Sequence, residues 1–324
     1  MRAVVLERPG TVEELRIREV PVPVPRLGWV LVRVHAFGLN RSELYQRLGL
    51  SEGVSFPIVP GLEAVGEVVA APAGEFVPGQ RVAALMGGMG RAYDGGYAEY
   101  TVVPASQIVP FDSDLPWSVL GAVPETLQTA HGSLTIGLDV RAGQTLLIRG
   151  GSSSVGMTAA VLARRSGLRV ISTTRDPAKE DALRAAGADL VLIDDGRIAD
   201  RVHRAVPGGV DAAIELVGTP TLQDTLLSTR VHGTVVFTGM LSNRWTVRDF
   251  YPIEYIPRGV RLTAYGGDAS DLPQHVLQGY LDAVAEGTAA VPIGRVYPFE
   301  EIAAAHTAME TNAVAGKIVV TFGD

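Results

Sequence analysis

The pattern of apolar and polar residues changes near Pro116 and predicts two structural regions. Before that point, short apolar segments are separated by Gly- and Pro-rich stretches such as VPVPVPRLG and FVPGQ. Aliphatic and β-branched segments bounded by such turns are typical of strands. They lie at residues 3–6, 15–20, 30–34, 65–69, 81–85 and 98–103. This region is therefore predicted to be a partly closed, barrel-like β domain with one short helix at 40–48.

After Pro116 the pattern becomes an alternation of apolar strands and alanine-rich helices. The strand-like segments are LLIRG, LRVISTT, LVLID, VDAAIELVG, GTVVFTG and VRLTAYG. Such alternation predicts parallel strands joined by right-handed crossovers, which is a doubly wound α/β sheet over about residues 145–265. The tail alternates less regularly, with helices at 272–286 and 300–310 and strands at 295–297 and 317–321. These shorter pieces can return to the first domain.

The stretch TLLIRGGSSSVGMTAAVLAR predicts a buried strand, a tight glycine turn and the start of a helix. Unpaired amides at a helix start bind anions, so the expected ligand is a dinucleotide pyrophosphate. The motif is Gly151-x-Ser153-x-x-Gly156, completed by Ser154 and Val155. Ser153 replaces the glycine that lets the backbone approach the pyrophosphate, and a hydrogen bond from its hydroxyl can compensate. Such a motif alone is often only a turn, and both interpretations stay open here.

The end of the next strand decides which dinucleotide is expected. An Asp or Glu about 20 residues beyond the glycine motif would bind the ribose 2′-hydroxyl of NADH. The chain instead has Thr173, Thr174 and Arg175, and Lys179 follows one helical turn later. Hydroxyls, a guanidinium and an ammonium suit a 2′-phosphate, which favours NADPH as the cofactor. The alternative is a solvated helix start on which Arg175 and Lys179 are merely exposed.

The ends of two later strands are expected to line the same crevice. Val217 follows the fourth strand of the sheet, and Gly239 and Met240 follow the fifth. Apolar residues and a glycine at the carboxyl end of a strand suit the face of a nicotinamide ring and its ribose. These residues are also compatible with ordinary sheet core that ends in a turn.

Composition and charge exclude several classes of function. The chain has 324 residues, 47% hydrophobic and 19% charged, which is typical of a globular protein with two domains. A net charge of −7 without a basic run argues against a nucleic-acid partner. The absence of cysteine excludes disulfides, thiolate nucleophiles and cysteine metal sites. The start MRAVVLERPG is not a signal peptide and no apolar run reaches membrane length, so we expect a cytoplasmic protein without a membrane partner.

Seven segments together resemble the medium-chain dehydrogenase/reductase superfamily, in its zinc-independent quinone oxidoreductase branch. They are NRSELY at residues 40–45, PGLEAVG at 60–66, GQRV at 79–82, GGYAE at 95–99, GGSSSVG at 150–156, AGA at 186–188 and GKIVV at 316–320. No single segment is decisive, whereas their order and spacing along essentially the whole chain are specific.

The resemblance implies an α/β architecture with two domains. A GroES-like β-barrel catalytic domain is expected at residues 1–118 and 267–324, and a Rossmann dinucleotide-binding domain at 119–266. The resemblance also implies an active site in the cleft between these domains. A homodimer is expected through the sheet edge at residues 260–265, because an exposed edge strand is a template for pairing.

The zinc ligands of the superfamily have no counterpart in this chain. Zinc members bind the catalytic metal with Cys, His and Cys, and the matching positions here are Asn40, Leu62 and Glu125. An amide, an alkyl group and one carboxylate do not make a zinc site, so no metal is expected. Without a Lewis acid, oxidation of an unactivated alcohol is difficult. Quinones and α,β-unsaturated carbonyls need less help, because they delocalise the charge of an added hydride onto oxygen.

The resemblance places Asn40, Tyr45 and Thr129 in the active site. Tyr45 is the expected proton donor, Asn40 an amide donor to the substrate, and Thr129 a contact to the nicotinamide carboxamide. Their structural alternatives are a core ring for Tyr45, a helix cap for Asn40 and a satisfied helix hydroxyl for Thr129. For Glu63 and Glu125, pairing with a nearby arginine is preferred over a role as an acid.

The expected function is an NADPH-dependent, zinc-independent oxidoreductase that transfers hydride to a quinone or an α,β-unsaturated carbonyl. A 2-enoyl thioester reductase is the alternative within the same chemistry. A non-catalytic NADPH-binding sensor or structural protein is the alternative of a different class.

Overall fold

The computed structural model describes residues 1–323, which divide into two compact units. The first unit contains residues 1–128 and the chain from Asp268 onwards, and the second contains Thr129–Gly267. The first division lies within a helix at Gln128, whereas the sequence analysis placed it at 118, where the strand pattern ends. A change of hydrophobic periodicity marks where a new element begins. It does not mark where the packing of that element changes.

The first part of the chain consists mainly of short strands. Its elements are β1 (Arg2–Val5), β2 (Arg16–Glu19), β3 (Trp29–Gly38), α1 (Arg41–Arg47), β4 (Glu63–Ala70), β5 (Arg81–Leu85), β6 (Tyr100–Pro104), β7 (Ile108–Pro110), α2 (Trp117–Leu120) and α3 (Pro124–Gly132). All six predicted strands and the predicted helix are present. The three-residue strand β7 escaped prediction because it is too short to show an alternation.

The middle of the chain alternates strands and helices as predicted. Its elements are β8 (Thr145–Arg149), α4 (Ser154–Arg165), β9 (Arg169–Thr174), α5 (Glu180–Ala185), β10 (Leu190–Ile193), α6 (Ala199–Ala205), β11 (Val210–Glu215), α7 (Thr219–Leu227), β12 (Thr229–Phe237), α8 (Pro252–Tyr255) and β13 (Arg261–Ala264). The six strands are all parallel, in the order β10-β9-β8-β11-β12-β13. The order reverses between β8 and β11, and ligands of such sheets bind where the carboxyl ends diverge.

The tail contributes α9 (Gln274–Ala285), β14 (Ile293–Pro298), α10 (Ile302–Glu310) and β15 (Lys317–Thr321). It belongs to the first unit, because β15 pairs antiparallel with the last residues of β3. The ten-residue β3 pairs with β6 through its first half and with β4 along its other edge. The resulting seven-stranded sheet runs β14-β15-β3-β4-β5-β7, with β6 paired to β3 beside this path, and β1 and β2 form a separate pair. The pairing of β15 brings Lys317 beside Gly38.

Apolar side chains cover both faces of the parallel sheet. Leu146 and Ile148 of β8 pack on one face, in a cluster that includes the alanines of α4. Leu147 points to the other face and packs in a cluster with Val202 of α6 and Leu226 of α7. Successive residues of a strand face opposite sides, so a strand buried on both faces is apolar along its length. Arg149 ends this apolar strand and is completely buried.

Candidate functional site

The glycine turn after β8 leaves no room for side chains. Gly150 has a φ of 85°, which favours glycine. A Cβ on Gly151 would lie 2.8 Å from the Cβ of Ser172, and a Cβ on Gly156 would lie 2.7 Å from the carbonyl oxygen of Gly150. The short distances show that the end of β8, the end of β9 and the first turn of α4 lie close together, as a dinucleotide-binding turn requires.

Ser153 is the N-cap of α4. Its hydroxyl accepts a hydrogen bond from the amide of Gly156 at 3.1 Å and donates to the carbonyl of Gly150 at 2.8 Å. This hydroxyl is therefore used within the turn. The amides of Ser154 and Val155 find no acceptor among residues 1–323, and amides at the first turn of a helix are the groups that bind a phosphate.

Thr173, at the end of β9, holds both glycines of the turn. Its hydroxyl accepts from the amide of Gly150 at 3.1 Å, and its carbonyl accepts from the amide of Gly151 at 2.9 Å. The same hydroxyl donates to Asp194 at 3.2 Å. Thr173 is completely buried. The structure thus gives its hydroxyl an internal role, and the predicted contact with a 2′-phosphate is not supported by this burial.

Arg149 forms a buried ion-pair network with Asp194 and Asp224. We call these three residues and Thr173 the arginine hub. Its Nε and Nη2 donate to the two oxygens of Asp194 at 2.8 and 2.9 Å, and its Nη1 donates to Asp224 at 2.6 Å. Burial opposes ionisation of Asp194, but the hydrogen bonds and charge of Arg149 outweigh it and keep the pKa of Asp194 below its ordinary value. The hub therefore links the ends of β8, β9 and β10.

The residues predicted to bind a 2′-phosphate lie just beyond β9. Thr174 is buried, and its hydroxyl contacts the backbone of Asp176. Arg175 is exposed and Lys179 is half-buried, at the two ends of the turn that Asp176 caps through the amide of Ala178. An exposed guanidinium beside a half-buried ammonium leaves cationic groups at the strand end where the adenosine ribose of a dinucleotide is expected.

The residues predicted to face the nicotinamide lie at two adjacent strand ends. The amide of Gly239 donates to the carbonyl of Glu215 at 3.1 Å, and the amide of Ser242 donates to the carbonyl of Val217 at 2.8 Å. These bonds bring the loop containing Met240 against the end of β11. A Cβ on Gly150 would lie 3.4 Å from Cγ2 of Val217, so the glycine turn adjoins the same loop.

Thr129 lies on α3 at the start of the second unit and is half-buried. Its carbonyl accepts from the hydroxyl of Ser133 at 2.7 Å, and that hydroxyl is 3.0 Å from the hydroxyl of Thr238. Thr238 precedes Gly239, so hydrogen bonds connect the helix of Thr129 to the strand end predicted to contact the nicotinamide. The site residues predicted in this unit are therefore brought together around the carboxyl ends of β8, β9, β11 and β12.

The first unit contains a second buried charged group, which we call the lysine cluster: Asn40, Glu43, Glu63, Glu125 and Lys317. The ammonium of Lys317 is 2.6 Å from Glu63, 2.6 Å from the amide oxygen of Asn40 and 3.4 Å from Glu125. Burial opposes the charge on Lys317, but Glu63 and Glu125 outweigh it and raise the pKa of the lysine. These carboxylates pair with a lysine, where the sequence analysis preferred an arginine.

Glu63 connects several parts of the lysine cluster. One carboxylate oxygen accepts from the Asn40 side-chain amide at 3.0 Å, and the other accepts from the backbone amide of Glu125 at the start of α3 at 2.8 Å. Gly38 makes room for this arrangement, since a Cβ there would lie 2.4 Å from Glu63 and 2.2 Å from Cε of Lys317. The present arrangement of the cluster therefore leaves no space for a side chain at the end of β3.

Glu43 is the carboxyl group of the cluster that is held by amide donors. Its oxygens accept from the backbone amides of Asn40 at 2.8 Å and Leu62 at 3.0 Å. Burial raises the pKa of Glu43 to about 7, although these amides and the charge of Lys317 favour the carboxylate. Glu43 is thus the group of this cluster that changes charge near neutral pH.

The two catalytic candidates of the first unit lie at α1. Asn40 is the N-cap of this helix, and its side-chain amide donates to Glu63 and to the carbonyl of Gly38. These internal bonds, and that from Lys317, engage both ends of the Asn40 amide, so the predicted donation to a substrate has no support here. Tyr45 is 7% exposed, and its hydroxyl remains the predicted proton donor.

Curated relatives match almost the whole chain, and two family models match separate parts of it. A model for the alcohol dehydrogenase GroES-like domain matches residues 26–113, and one for zinc-binding dehydrogenase matches residues 186–320. The quinone oxidoreductase of Mus musculus is 30% identical, in an alignment that covers 94% of this chain and 93% of the relative. The chain belongs to the medium-chain dehydrogenase/reductase superfamily, in its quinone oxidoreductase branch.

Solved structures of the superfamily confirm the predicted combination of a Rossmann sheet with a GroES-like domain. A mycobacterial protein in complex with NADPH is 28% identical, with a TM-score of 0.87 and coverage of 99% of both chains. An NAD-dependent alcohol dehydrogenase is 27% identical, with a TM-score of 0.88 and coverage of 100% of both chains. The Rossmann domain of this superfamily indicates a nicotinamide cofactor. These similarities alone do not choose between its two forms.

The residues of this quinone oxidoreductase branch member do not fit a catalytic zinc. Of the three positions that match the ligands, Leu62 offers no donor atom, and the oxygens of Asn40 and Glu125 contact the ammonium of Lys317. Within residues 1–323, no three His, Cys, Asp or Glu side chains are grouped so that they could hold a metal. None of the helices in the described chain is long and apolar enough to cross a membrane.

The buried residues that hold the predicted site residues in place were not predicted from the sequence. Arg149 gave a signal, because it is a charged residue at the end of an otherwise apolar strand. Asp194 and Lys317 gave none of comparable strength, since each acts on groups that are distant in the sequence. Lys317 is one of only two lysines in the sequence, but its pairing with Glu63 and Glu125 depends on the register of β15 against β3.

Proposed function

We propose that this protein is an NADPH-dependent, zinc-independent oxidoreductase that transfers hydride to a quinone or an α,β-unsaturated carbonyl. The observation that carries the proposal is the ammonium of Lys317, 2.6 Å from Asn40 and 3.4 Å from Glu125. These are two of the positions that match zinc ligands in the superfamily, and here they bind an internal cation. Without a Lewis acid, an acceptor that is already electrophilic is the better substrate.

The glycine turn supports a bound dinucleotide, and Arg175 with Lys179 supports NADPH over NADH. The amides of Ser154 and Val155 would bind the pyrophosphate, while the exposed guanidinium of Arg175 suits a 2′-phosphate. The end of β9 offers no carboxylate for a ribose 2′-hydroxyl before Asp176, whose side chain caps the following turn. The NADPH complex of the mycobacterial relative agrees with this choice.

The nicotinamide of the bound cofactor would supply the hydride. Val217, Gly239 and Met240 would line one side of its ring, and Thr129 would orient the carboxamide. Reduction of the acceptor also consumes a proton, and Tyr45 would deliver it to the developing oxyanion. The relatives named quinone oxidoreductase support a quinone as one acceptor class.

Steady-state oxidation of NADPH tests the activity against a panel of quinones, enones and 2-enoyl thioesters. We expect turnover with quinones or enones that survives dialysis against a chelator. Tyr45→Phe is expected to lower kcat about 100-fold or more while NADPH binding is kept. Turnover confined to enoyl thioesters would favour the thioester reductase, and tight NADPH binding without any turnover would favour the non-catalytic alternative.

Cofactor choice is tested by Arg175→Ala and Lys179→Ala. Each change is expected to weaken NADPH by about 1.5–3 kcal/mol, because a charged hydrogen bond to phosphate is lost, and to leave NADH nearly unchanged. Isothermal titration with both dinucleotides provides the measurement. Arg165→Ala, which removes a cation from the opposite end of α4, is the control. Equal losses for NADPH and NADH would mean that the 2′-phosphate binds elsewhere.

We further propose a homodimer formed through β13. This strand is the last of the parallel sheet, and β12 occupies only one of its edges. An unpaired edge offers backbone donors and acceptors to a second copy. Light scattering after gel filtration at micromolar concentration tests the proposal. A monomeric mass would contradict it.

A further inference from the structure

Thr173 connects the arginine hub to the glycine turn by three hydrogen bonds. Its hydroxyl accepts from the amide of Gly150, its carbonyl accepts from the amide of Gly151, and the hydroxyl proton goes to Asp194. One residue therefore holds two consecutive amides of the turn. The neighbouring Thr174 contacts the turn through a side chain instead, since its hydroxyl lies 3.5 Å from the hydroxyl of Ser152.

The orientation of this hydroxyl is fixed by charge. Asp194 accepts both Nε and Nη2 of Arg149, so its carboxylate cannot rotate without breaking a two-point ion pair. The Thr173 hydroxyl must then direct its proton to Asp194 and its lone pair to Gly150. Arg149 is itself held by Asp224 and by the hydroxyl of Thr225. The position of the glycine turn is thus set by a buried guanidinium.

We propose that Thr173 is a positioning residue for the dinucleotide, which holds the glycine turn in its binding shape and takes its own orientation from Arg149 through Asp194. This inference rests on the proposed function, because it assumes that the turn binds a pyrophosphate. It differs from the prediction made from the sequence, in which Thr173 contacts the 2′-phosphate. A positioning role affects every ligand with a pyrophosphate, whereas a 2′-phosphate contact affects NADPH alone.

The test compares Thr173→Val with Thr173→Ser. Valine keeps the shape and removes the hydroxyl, and serine restores it. We expect Thr173→Val to weaken NADPH and NADH alike, by about tenfold each, since the amide of Gly150 loses its acceptor. Thr173→Ser is expected to bind both as the wild type does. Asp194→Asn, which loses the charged partner of the hydroxyl, is expected to weaken both dinucleotides as Thr173→Val does.

Adenosine 2′-monophosphate serves as a probe without a pyrophosphate. Its affinity is expected to be equal for the wild type and Thr173→Val, because it does not reach the glycine turn. Thr229→Val is the matched control: Thr229 is also buried in the same unit, and its hydroxyl donates to the carbonyl of Thr225 at the other end of the sheet. This control is expected to lower the Tm and to keep both dinucleotide affinities, measured well below the Tm.

The possible results are distinguishable. Unchanged dinucleotide binding by Thr173→Val, or a failure of serine to restore binding, would overturn the inference. A loss of affinity for NADPH but not for NADH would also overturn the inference, and would indicate that Thr173 contacts the 2′-phosphate. A wild-type protein that binds neither dinucleotide would overturn the proposed function itself. Weaker binding of both NADPH and NADH by Thr173→Val, together with unchanged binding of adenosine 2′-monophosphate, would support the positioning role.

Discussion

Both units of the molecule enclose completely buried cations, and Arg149 and Lys317 are paired in different ways. Arg149 in the arginine hub directs its donors to two carboxylates and a hydroxyl. The ammonium of Lys317 in the lysine cluster has three donors and contacts Glu63, Glu125 and Asn40. The planar guanidinium forms ion pairs with both Asp194 and Asp224. Glu43 of the same cluster instead accepts hydrogen bonds from backbone amides.

This difference determines which region responds to pH. In the arginine hub, ion pairing outweighs burial and lowers the pKa of Asp194. In the lysine cluster, burial dominates and raises the pKa of Glu43 to about 7. A buried carboxyl group that lacks a direct cationic partner takes up a proton, because an unpaired buried charge is costly. The hub is therefore a fixed support, and the cluster contains a group that titrates.

The largest expected effect is the loss of stability on removal of a buried cation. Arg149→Met leaves Asp194 and Asp224 without their partner and is expected to cost about 3–5 kcal/mol. Lys317→Met is expected to have an effect of similar size. The two should differ in binding, since only Arg149→Met disturbs the glycine turn. Calorimetric Tm values and NADPH titrations of both variants measure this. Loss of NADPH binding in Lys317→Met but not in Arg149→Met would contradict this expectation.

A smaller effect concerns the pH dependence that Glu43 brings to the lysine cluster. The pKa of this group is raised from 4.5 to about 7 in the folded protein, so folding takes up a proton between these values. Stability from this source is present below pH 4.5 and is lost as pH rises through 7, by about 3 kcal/mol in all. Glu43→Gln cannot ionise, so its Tm relative to the wild type should rise from pH 5 to pH 8.

The test is the change of this Tm difference with pH. Glutamine also alters the hydrogen bonds made at position 43, but that effect on Tm is the same at every pH. Glu75→Gln, in an exposed loop, is the control and should leave the pH profile of the wild type unchanged. A constant Tm difference between Glu43→Gln and the wild type would show that the cluster holds no exchangeable proton in this range. The two buried regions would then respond to pH alike.

The smallest effect belongs to a neutral hydrogen bond beside the arginine hub. Ser153→Ala removes the N-cap of α4 and is expected to cost about 1 kcal/mol, whereas Ser153→Gly costs only a few tenths. Thermal unfolding of both variants shows how little a neutral bond contributes at a turn that is otherwise held by charge. Neither should weaken NADPH, because the Ser153 hydroxyl is used internally. Weaker NADPH binding by both would instead indicate direct contact of the serine with the pyrophosphate.

Most of the fold could be predicted from the sequence because it depends on local periodicity. Every strand except the three-residue β7, and the glycine turn, follow from short patterns, and the irregular pattern of the tail left room for the return of β15 to the first unit. The two buried charge groups could not be predicted in the same way. Arg149 and Asp194 are 45 residues apart, and Lys317 and Glu63 meet only after β15 pairs with β3.

The same limit applies to individual site residues. Thr173 and Arg175 are two positions apart, yet one is completely buried and the other exposed, because β9 ends between them. The residue types alone favour a phosphate contact for both. Asn40 illustrates the point further, since its amide suits a substrate until Lys317 and Glu63 are known to be its partners.

Gly38 has a consequence for how this protein can evolve. A Cβ at this position would lie 2.2 Å from Cε of Lys317 and 2.4 Å from Glu63, so a larger residue requires the ends of both side chains to move. A lineage that substitutes position 38 must therefore rearrange the ion pair or lose it. A small residue without chemistry of its own thus couples its own variation to that of an internal cation.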